Sequence, residues 1–315
     1  MTILFLLNVM IMSNCKPAYG PEASLLLDTK STLGEGAIWH AGKQKLFWVD
    51  IEKYQLNIYN LATGENEVIE VGQYIGTVVP VEQEDKALVA LKDGIYLLDL
   101  ESRSLQPVVS PEKDKKNNRF NDGKCDPAGR MWAGTMALDG KKGAGSLYRI
   151  DHDGSARKML DHVTISNGIV WSSDHHIMYY IDTPTRQIVA FDFDPEAGNI
   201  SNQHTVVKIP DDMGYPDGMT IDNKDKLWVA HWGGACVAQW DPETGKLLKK
   251  IDVPAPHVTS CVFGGKNLDL LFITTARSGL TKEQLEDYPE SGGLFIARPG
   301  EKGVPAHLFR SAVDH

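Results

Sequence analysis

Residues 217–250 read DGMTIDNKDKLWVAHWGGACVAQWDPETGKLLKK, and the fold can be inferred from this segment. It contains four short apolar segments, GMTID, LWVAHW, CVAQWD and KLLKK. The segments are separated by residues 223–225 (Asn-Lys-Asp), 233–234 (Gly-Gly) and 242–245 (Pro-Glu-Thr-Gly). Glycine supplies a positive φ and Asn or Asp tolerates it, so each break predicts a hairpin turn rather than a helix end. The stretch therefore predicts one unit of four antiparallel strands.

The same pattern recurs along most of the chain. Further copies, two of them degenerate, cover residues 36–65, 76–109, 122–154, 167–199 and 259–298. In every copy a residue with a side-chain oxygen comes 11 to 13 residues before a strand centre: Glu35 before Trp48, Thr77 before Leu88, Asn121 before Trp132, Asn167 before Tyr179, Asp217 before Trp228 and Ser260 before Phe272. The strand centres recur every 40 to 49 residues, which is the period of four-stranded propeller blades.

This periodicity predicts an all-β fold, a six-bladed β-propeller with four-stranded antiparallel blades around a central channel. Residues 21–315 would form a single propeller domain, because closed all-β architectures commonly exceed 200 residues as one unit. We expect a segment near residues 22–30 to complete the blade formed by the C-terminus.

Charge and cysteine content exclude several classes of protein. The 315-residue chain has 42 acidic and 32 basic residues, a net charge of −10, which argues against a nucleic-acid partner. The cysteines, at positions 15, 125, 236 and 261, have no CxxC spacing, so they predict neither a zinc cage nor a disulfide scaffold.

Residues 1–20 leave two interpretations open. The apolar run Ile3 to Met12 has the length of a signal-peptide core and is too short to span a membrane as a helix. The following Met12-Ser13-Asn14-Cys15 weakly resembles a lipoprotein cleavage box, which would make the protein an exported, periplasmic lipoprotein attached through Cys15. The alternative is an uncleaved disordered extension on a cytoplasmic protein. No other segment is apolar for long enough to be transmembrane.

The six oxygen-bearing residues would meet at the central channel, because the innermost strand of every blade lines it. Two carboxylates and two carboxamides brought together there need a partner, and a hard divalent cation such as calcium, magnesium or manganese provides one. The alternative is turn chemistry, because Asn-Gly and Asp-Gly are common hairpin dipeptides. Taken as a set in shared register, Glu35, Asn121, Asn167 and Asp217 favour a metal site.

The longest motifs carry a family resemblance. NRFNDGK (118–124) followed by DPAGRMWAGTM, ISNG (165–168), YID (180–182) and PDGM (216–219) resemble the regucalcin, or senescence marker protein, and gluconolactonase family. The resemblance spans about residues 30–298 and implies a propeller that hydrolyses sugar lactones with one divalent metal ion in its channel. That ion would be Ca, Mg, Mn or Zn.

The resemblance also implies residue roles. It assigns the metal to Glu35, Asn167 and Asp217, and the substrate to Arg119 and Asn121. A further acidic substrate contact, usually Glu in animal members, falls on Asp139, whose side chain is one methylene shorter.

The mechanism expected from these roles has the metal polarise the lactone carbonyl, while Asp217 acts as general base on water. A metal-bound hydroxide is the alternative source of the nucleophile. Two other functions remain open: a non-catalytic propeller that binds calcium or protein partners, and a related phosphotriesterase-type hydrolase using the same metal.

Overall fold

The chain folds almost entirely into β-strands in a computed structural model that describes residues 19–82 and 85–311. The strands are β1 (Ser24–Leu27), β2 (Gly34–His40), β3 (Lys45–Asp50), β4 (Gln55–Asn60), β5 (Asn66–Glu70), β6 (Ile75–Pro80), β7 (Lys86–Leu91), β8 (Ile95–Asp99), β9 (Leu105–Val109), β10 (Asn118–Cys125), β11 (Met131–Ala137), β12 (Gly145–Ile150), β13 (Ala156–Val163), β14 (Ser166–Trp171), β15 (Ile177–Asp182), β16 (Gln187–Asp194), β17 (Asn199–Lys208), β18 (Tyr215–Ile221), β19 (Leu227–Trp232), β20 (Cys236–Asp241), β21 (Lys246–Asp252), β22 (His257–Gly264), β23 (Leu270–Ala276) and β24 (Leu294–Ala297). One α-helix, α1 (Lys282–Asp287), and two 3-10 turns, Thr183–Thr185 and Asp211–Met213, complete the described elements. Cys15 and the apolar run before it lie outside the described residues.

The strands form the predicted propeller. Four antiparallel sheets consist of β2–β5, β6–β9, β10–β13 and β14–β17. The remaining sheet has eight strands and divides into β18–β21 and β22–β24 with β1, which are joined by the single pair Trp232 and His257. The inner strands β2, β6, β10, β14, β18 and β22 contact one another in sequence, and β22 contacts β2, so they close a ring.

The ends of the chain meet in one sheet. β1 pairs antiparallel with β24, where Leu25 lies opposite Phe295. The prediction that a segment near residues 22–30 completes the C-terminal blade is therefore confirmed. This closure covers an edge that would otherwise expose unpaired backbone groups. Within the described residues, no helix has the length and apolarity needed to cross a membrane.

Large aromatic side chains fill the spaces between neighbouring sheets. Trp39 stacks on Phe272 with ring centroids 5.3 Å apart, which joins β2 to β23. Trp132, Trp171 and Phe193 meet edge to face at 5.8 to 6.0 Å. Aromatic pairs in these geometries add about 0.5–1.5 kcal/mol beyond their buried area, so they hold adjacent blades in fixed orientation.

A C-terminal strap, residues 302–310, crosses the end of the channel where the inner strands finish. The backbone N–H of Phe309 donates to the Pro80 carbonyl (3.0 Å), and that of Arg310 donates to the Gly129 carbonyl (2.9 Å). Pro80 ends β6 and Gly129 lies just beyond β10. The strap thus joins blades that are distant in sequence and leaves the opposite end of the channel free for a site.

Replacing Phe309 by Ala is expected to cost about 3–5 kcal/mol of unfolding free energy. The Phe309 ring is 5% exposed and belongs to the same apolar cluster as Val81 and Leu88, so truncation leaves a cavity. Denaturant unfolding measures the change, and the Phe309→Leu variant should recover most of it. A loss below about 1 kcal/mol for the Ala variant would mean that the strap does not stabilise the ring.

His231 makes the fold sensitive to acid. Its Nε2 accepts from the Trp240 indole N–H (3.3 Å), so Nδ1 carries the proton and donates to the Met213 carbonyl (3.0 Å). Burial lowers the pKa of this imidazole to about 4. The neutral ring is therefore the form that fits the folded protein.

Stability is expected to fall by about 2 kcal/mol between pH 7 and pH 5 because of His231 alone. The unfolded chain binds a proton near pH 6.5 while the folded chain resists it down to about pH 4, so the loss falls in that window. Unfolding curves of the wild type and a His231→Gln variant should show it, with a flatter pH profile in the variant. Identical slopes for the two proteins would contradict this assignment.

Candidate metal centre and substrate cavity

Every inner strand carries a β-bulge at or beside its predicted polar residue. Asn121, Asn167 and Asp217 lie in the bulge itself, whereas Glu35, Thr77 and Ser260 are paired residues next to it. The pairing register shifts between Glu35 and Ile38, Ile75 and Thr77, Phe120 and Gly123, Ser166 and Ile169, Pro216 and Met219, and Val258 and Ser260. A bulge leaves an extra residue outside the ladder and re-aims its side chain, and bulges are common beside active sites. The interpretation of these Asn-Gly and Asp-Gly pairs as hairpin turns is therefore wrong, because they lie inside strands.

The glycine after Asn167 is required by packing against the next blade. A Cβ at Gly168 would lie 2.8 Å from the Asp217 carbonyl oxygen and 2.7 Å from the Met219 Cβ. Only a residue without a side chain allows β14 and β18 to approach this closely. The close approach places Asn167 and Asp217 side by side at the channel.

Two aspartates at strand ends fix the segments that lead into the site. Asp50, the last residue of β3, accepts from the Leu33 backbone N–H at 3.1 Å. Asp182, the last residue of β15, accepts from the Ile165 N–H at 2.8 Å. Each hydrogen bond fixes the backbone two residues before a predicted metal ligand. Glu35 and Asn167 are therefore positioned by the same type of interaction.

The buried carboxylates of Glu35 and Asp217 interact with each other and with the charge of buried Asp122. Burial, and after it the charges of Asp217 and Asp122, raise the pKa of Glu35 well above its usual range. Burial and the Asp122 charge also raise the pKa of Asp217, although Glu35 and Arg119 act in the opposite direction. Carboxylates in this situation need a cation or a proton to compensate their charge.

Unsatisfied atoms at this cluster indicate where a cation would fit. Asp217 Oδ1 and Asp122 Oδ2 are buried and find no hydrogen-bond partner in the part of the chain that the structure describes. Among residues 19–82 and 85–311, no three His, Cys, Asp or Glu side chains group closely enough to hold a metal by themselves. The predicted set contains only two such side chains, Glu35 and Asp217, and its third member is the amide Asn167. This all-oxygen set fits a hard divalent cation better than zinc.

A chain of hydrogen bonds orients the neutral polar side chains beside the carboxylates. Arg119 Nη1 donates to Asn121 Oδ1 (2.6 Å), and Asn121 Nδ2 donates to Asn167 Oδ1 (3.1 Å). Asn167 Nδ2 then donates to Thr183 Oγ1 (2.8 Å), which in turn donates to the Pro216 carbonyl (2.9 Å). The predicted substrate contacts and the predicted amide ligand therefore act as one rigid unit.

Arg119 stays cationic in this setting. Burial lowers the pKa of its guanidinium to about 10, against the attraction of Glu35. The side chain therefore keeps a positive charge at neutral pH, and it lines the same cavity as Glu35 and Asp217.

Almost all the predicted residues border one cavity of about 450 Å³. Its lining includes Glu35, Arg119, Asn121, Asn167 and Asp217. Their convergence agrees with the roles assigned from the sequence, and those roles stay predictions.

Asp139 lies outside this group. It is exposed, and its Oδ1 accepts from the Lys141 N–H at 3.1 Å. It follows β11, whose last residues pair with the start of β10, so it lies at the same end of the blade as Arg119. Its role as a substrate contact also stays a prediction.

Sequence patterns alone missed two participants, Asp122 and Thr183. Asp122 is the second residue of the β10 bulge, and its Oδ1 accepts from the Gly123 N–H at 2.7 Å. The signal was present in Asn121-Asp122-Gly123, where a bulge places two polar residues at one point of the ladder. Thr183 lies in the turn after β15, and nothing in its sequence context distinguishes it.

A match to a family model shows which protein family the chain belongs to. Residues 33–277 match the model described as SMP-30/Gluconolactonase/LRE-like region. This chain belongs to that family. The resemblance seen in its motifs is thereby confirmed.

Members of the SMP-30/gluconolactonase family resemble the chain over nearly its full length. The putative sugar lactone lactonase YvrE of Bacillus subtilis is 41% identical over 277 residues, which cover 88% of this chain and 94% of that protein. Regucalcin of Danio rerio is 39% identical over 291 residues, covering 91% and 98% respectively. A crystal structure of regucalcin from Agrobacterium tumefaciens, described as a calcium-binding protein, has a TM-score of 0.88 at 27% identity and covers 93% of this chain and 98% of that one.

Proposed function

We propose that this protein is a hydrolase that opens lactone rings with the help of one divalent cation, sugar lactones being the substrate class named for its relative YvrE. One observation carries the proposal. The buried carboxylates of Glu35 and Asp217 border a cavity beside the cationic Arg119, and Asp217 Oδ1 has no hydrogen-bond partner within residues 19–82 and 85–311. A carbonyl group in that cavity would lie between a cation site and a guanidinium.

Glu35, Asn167 and Asp217 would hold the cation. When bound, it would supply Lewis acidity at the lactone carbonyl. The Arg119 guanidinium donates hydrogen bonds to substrate oxygens, and it is fixed for this by its bond to Asn121.

Asp217 is the proposed proton acceptor. The Asp217 side chain lines the cavity, and its Oδ1 has no hydrogen-bond partner among the described residues, so the carboxylate can take a proton from an attacking water and pass it to the leaving ring oxygen. Burial raises the pKa of this carboxyl in the protein without cation, and coordination to a cation would act in the opposite direction.

Rates on two substrate classes test the reaction type. Acid release from δ-gluconolactone and other lactones would be compared with hydrolysis of an organophosphate triester, in the presence of each divalent cation in turn. The proposal predicts turnover of lactones well above that of the triester. Preference for the triester would move the assignment to a phosphotriesterase, and turnover of neither would favour a calcium-binding propeller without catalysis.

A further inference from the structure

The cavity wall above the polar floor is mostly hydrocarbon. It is formed by Leu33, Ile51, Met136, Ile165, Pro184, Tyr215 and Trp232. Met136 and Ile165 face each other as an isolated bridge between β11 and the segment before β14, so two adjacent blades contribute one continuous apolar surface.

The aromatic residues of this wall pack against neighbouring side chains. Tyr215 and Trp232 are paired residues on β18 and β19. His257 stacks on the Trp232 ring at 3.9 Å, and the Arg186 guanidinium lies 4.0 Å from the centre of the Tyr215 ring. These contacts pre-form the surface, which reduces the ordering cost when an apolar group binds to it.

The polar groups on the floor are largely committed to one another. The amide hydrogens of Asn121 bind the Ser166 carbonyl (2.8 Å) and Asn167, and its oxygen accepts from Arg119. The Thr183 hydroxyl both accepts and donates within the protein. Within the described residues, only Nη1 of Arg119 makes a protein hydrogen bond, so its other N–H groups are the main donors left for a substrate.

A heavily hydroxylated lactone would therefore enter at a cost. Each hydroxyl that loses water without gaining a protein partner weakens binding, whereas a hydrocarbon substituent gains by contact with the apolar wall. Aromatic side chains also pack well against the faces of sugar rings, so the wall alone does not distinguish hydroxylated lactones from hydrocarbon-substituted ones. The amide and hydroxyl groups of the floor are committed within the protein, and the carboxylates of Glu35 and Asp217 are assigned to the cation. Few groups therefore remain to pair with substrate hydroxyls, which favours a lactone with few of them.

We infer that the preferred substrates are lactones with a hydrocarbon substituent and few hydroxyl groups, with the substituent packed against Met136, Ile165 and Trp232. This inference rests on the proposed function and narrows its substrate class. Met136, Ile165 and Trp232 would set specificity without taking part in the chemistry.

Two parallel measurements test it on the full protein supplied with divalent cation. The first is kcat/KM for δ-gluconolactone, δ-valerolactone and δ-lactones with alkyl chains of increasing length. The second is calorimetric binding of the corresponding lactams, which resist hydrolysis. We expect both quantities to rise about two- to fourfold per added methylene until the chain fills the cavity, and to be lowest for the hydroxylated compounds.

Variants of a wall residue test whether the apolar wall causes the chain-length dependence. Met136→Gln keeps the side-chain length but adds an amide, and should shift preference about tenfold toward δ-gluconolactone. Met136→Leu should keep the chain-length dependence, as should Leu248→Ala, which alters an exposed residue on β21.

The outcomes separate the two claims. Equal or stronger binding of gluconolactam, with no dependence on chain length, would overturn the inference even if lactones are hydrolysed. Chain-length dependence in lactam binding without turnover of any lactone would uphold the inference about the cavity and overturn the proposed reaction.

Discussion

Replacing Asp217 by Asn is expected to lower kcat for lactone hydrolysis on the order of a thousandfold. The amide has nearly the same shape, so the β18 bulge and its contact with Gly168 should persist. It cannot accept a proton from water, and it removes one negative charge from the cation site. Steady-state acid release at saturating cation measures the loss.

Asp252→Asn is the matched control, because Asp252 ends β21 and its side chain is exposed. The control should keep wild-type kcat. An Asp217→Ala or Asp217→Asn protein that binds the cation and still turns over lactones near the wild-type rate would contradict both versions of the mechanism, the general base and the metal-bound nucleophile.

Replacing Glu35 by Gln is expected to weaken divalent-cation binding about a hundredfold or more. The change removes one of the buried carboxylates, while the amide oxygen can still accept from the Gly36 N–H, a 2.8 Å bond in the wild type. Calorimetric titration of chelated protein with Ca²⁺ and Mn²⁺ measures the affinity.

The same Glu35→Gln variant should be more stable than the wild type when no cation is bound. The raised pKa of Glu35 means that its charged form is disfavoured in the folded protein, and the cost is fully present once the pH exceeds that pKa. Thermal unfolding at pH 8 with chelator should therefore give a higher Tm for the variant, and added cation should stabilise the wild type more. The exposed Glu65→Gln variant is the control. A lower Tm for the cation-free Glu35→Gln protein would contradict the account of this carboxylate cluster.

The propeller could be predicted from sequence because its signals are local and repeated. Turn residues such as Gly233-Gly234 mark each strand end, and the regular spacing of strand centres requires a ring. The same regularity put Glu35, Asn167 and Asp217 at equivalent positions, and so at one cavity.

Features that depend on contacts between blades could not be predicted. Gly168 resembles a turn glycine in the sequence, but glycine is required there because the Asp217 carbonyl on another strand leaves no room for a side chain. The strap at residues 302–310 has no strand periodicity. It is held by hydrogen bonds to residues that are distant in sequence, such as the Pro80 carbonyl. The hydrogen bonds of the Thr183 hydroxyl likewise involve residues on two other strands, Asn167 and Pro216.

We expect that a divalent cation bound at Glu35, Asn167 and Asp217 is needed to open a lactone. The most direct test removes all metal from the full-length protein with a chelator, dialyses the chelator away, and titrates single cations back while recording acid release from a lactone panel. We expect no turnover without cation, and recovery that saturates at one ion per chain. Unchanged turnover in the metal-free protein would contradict it.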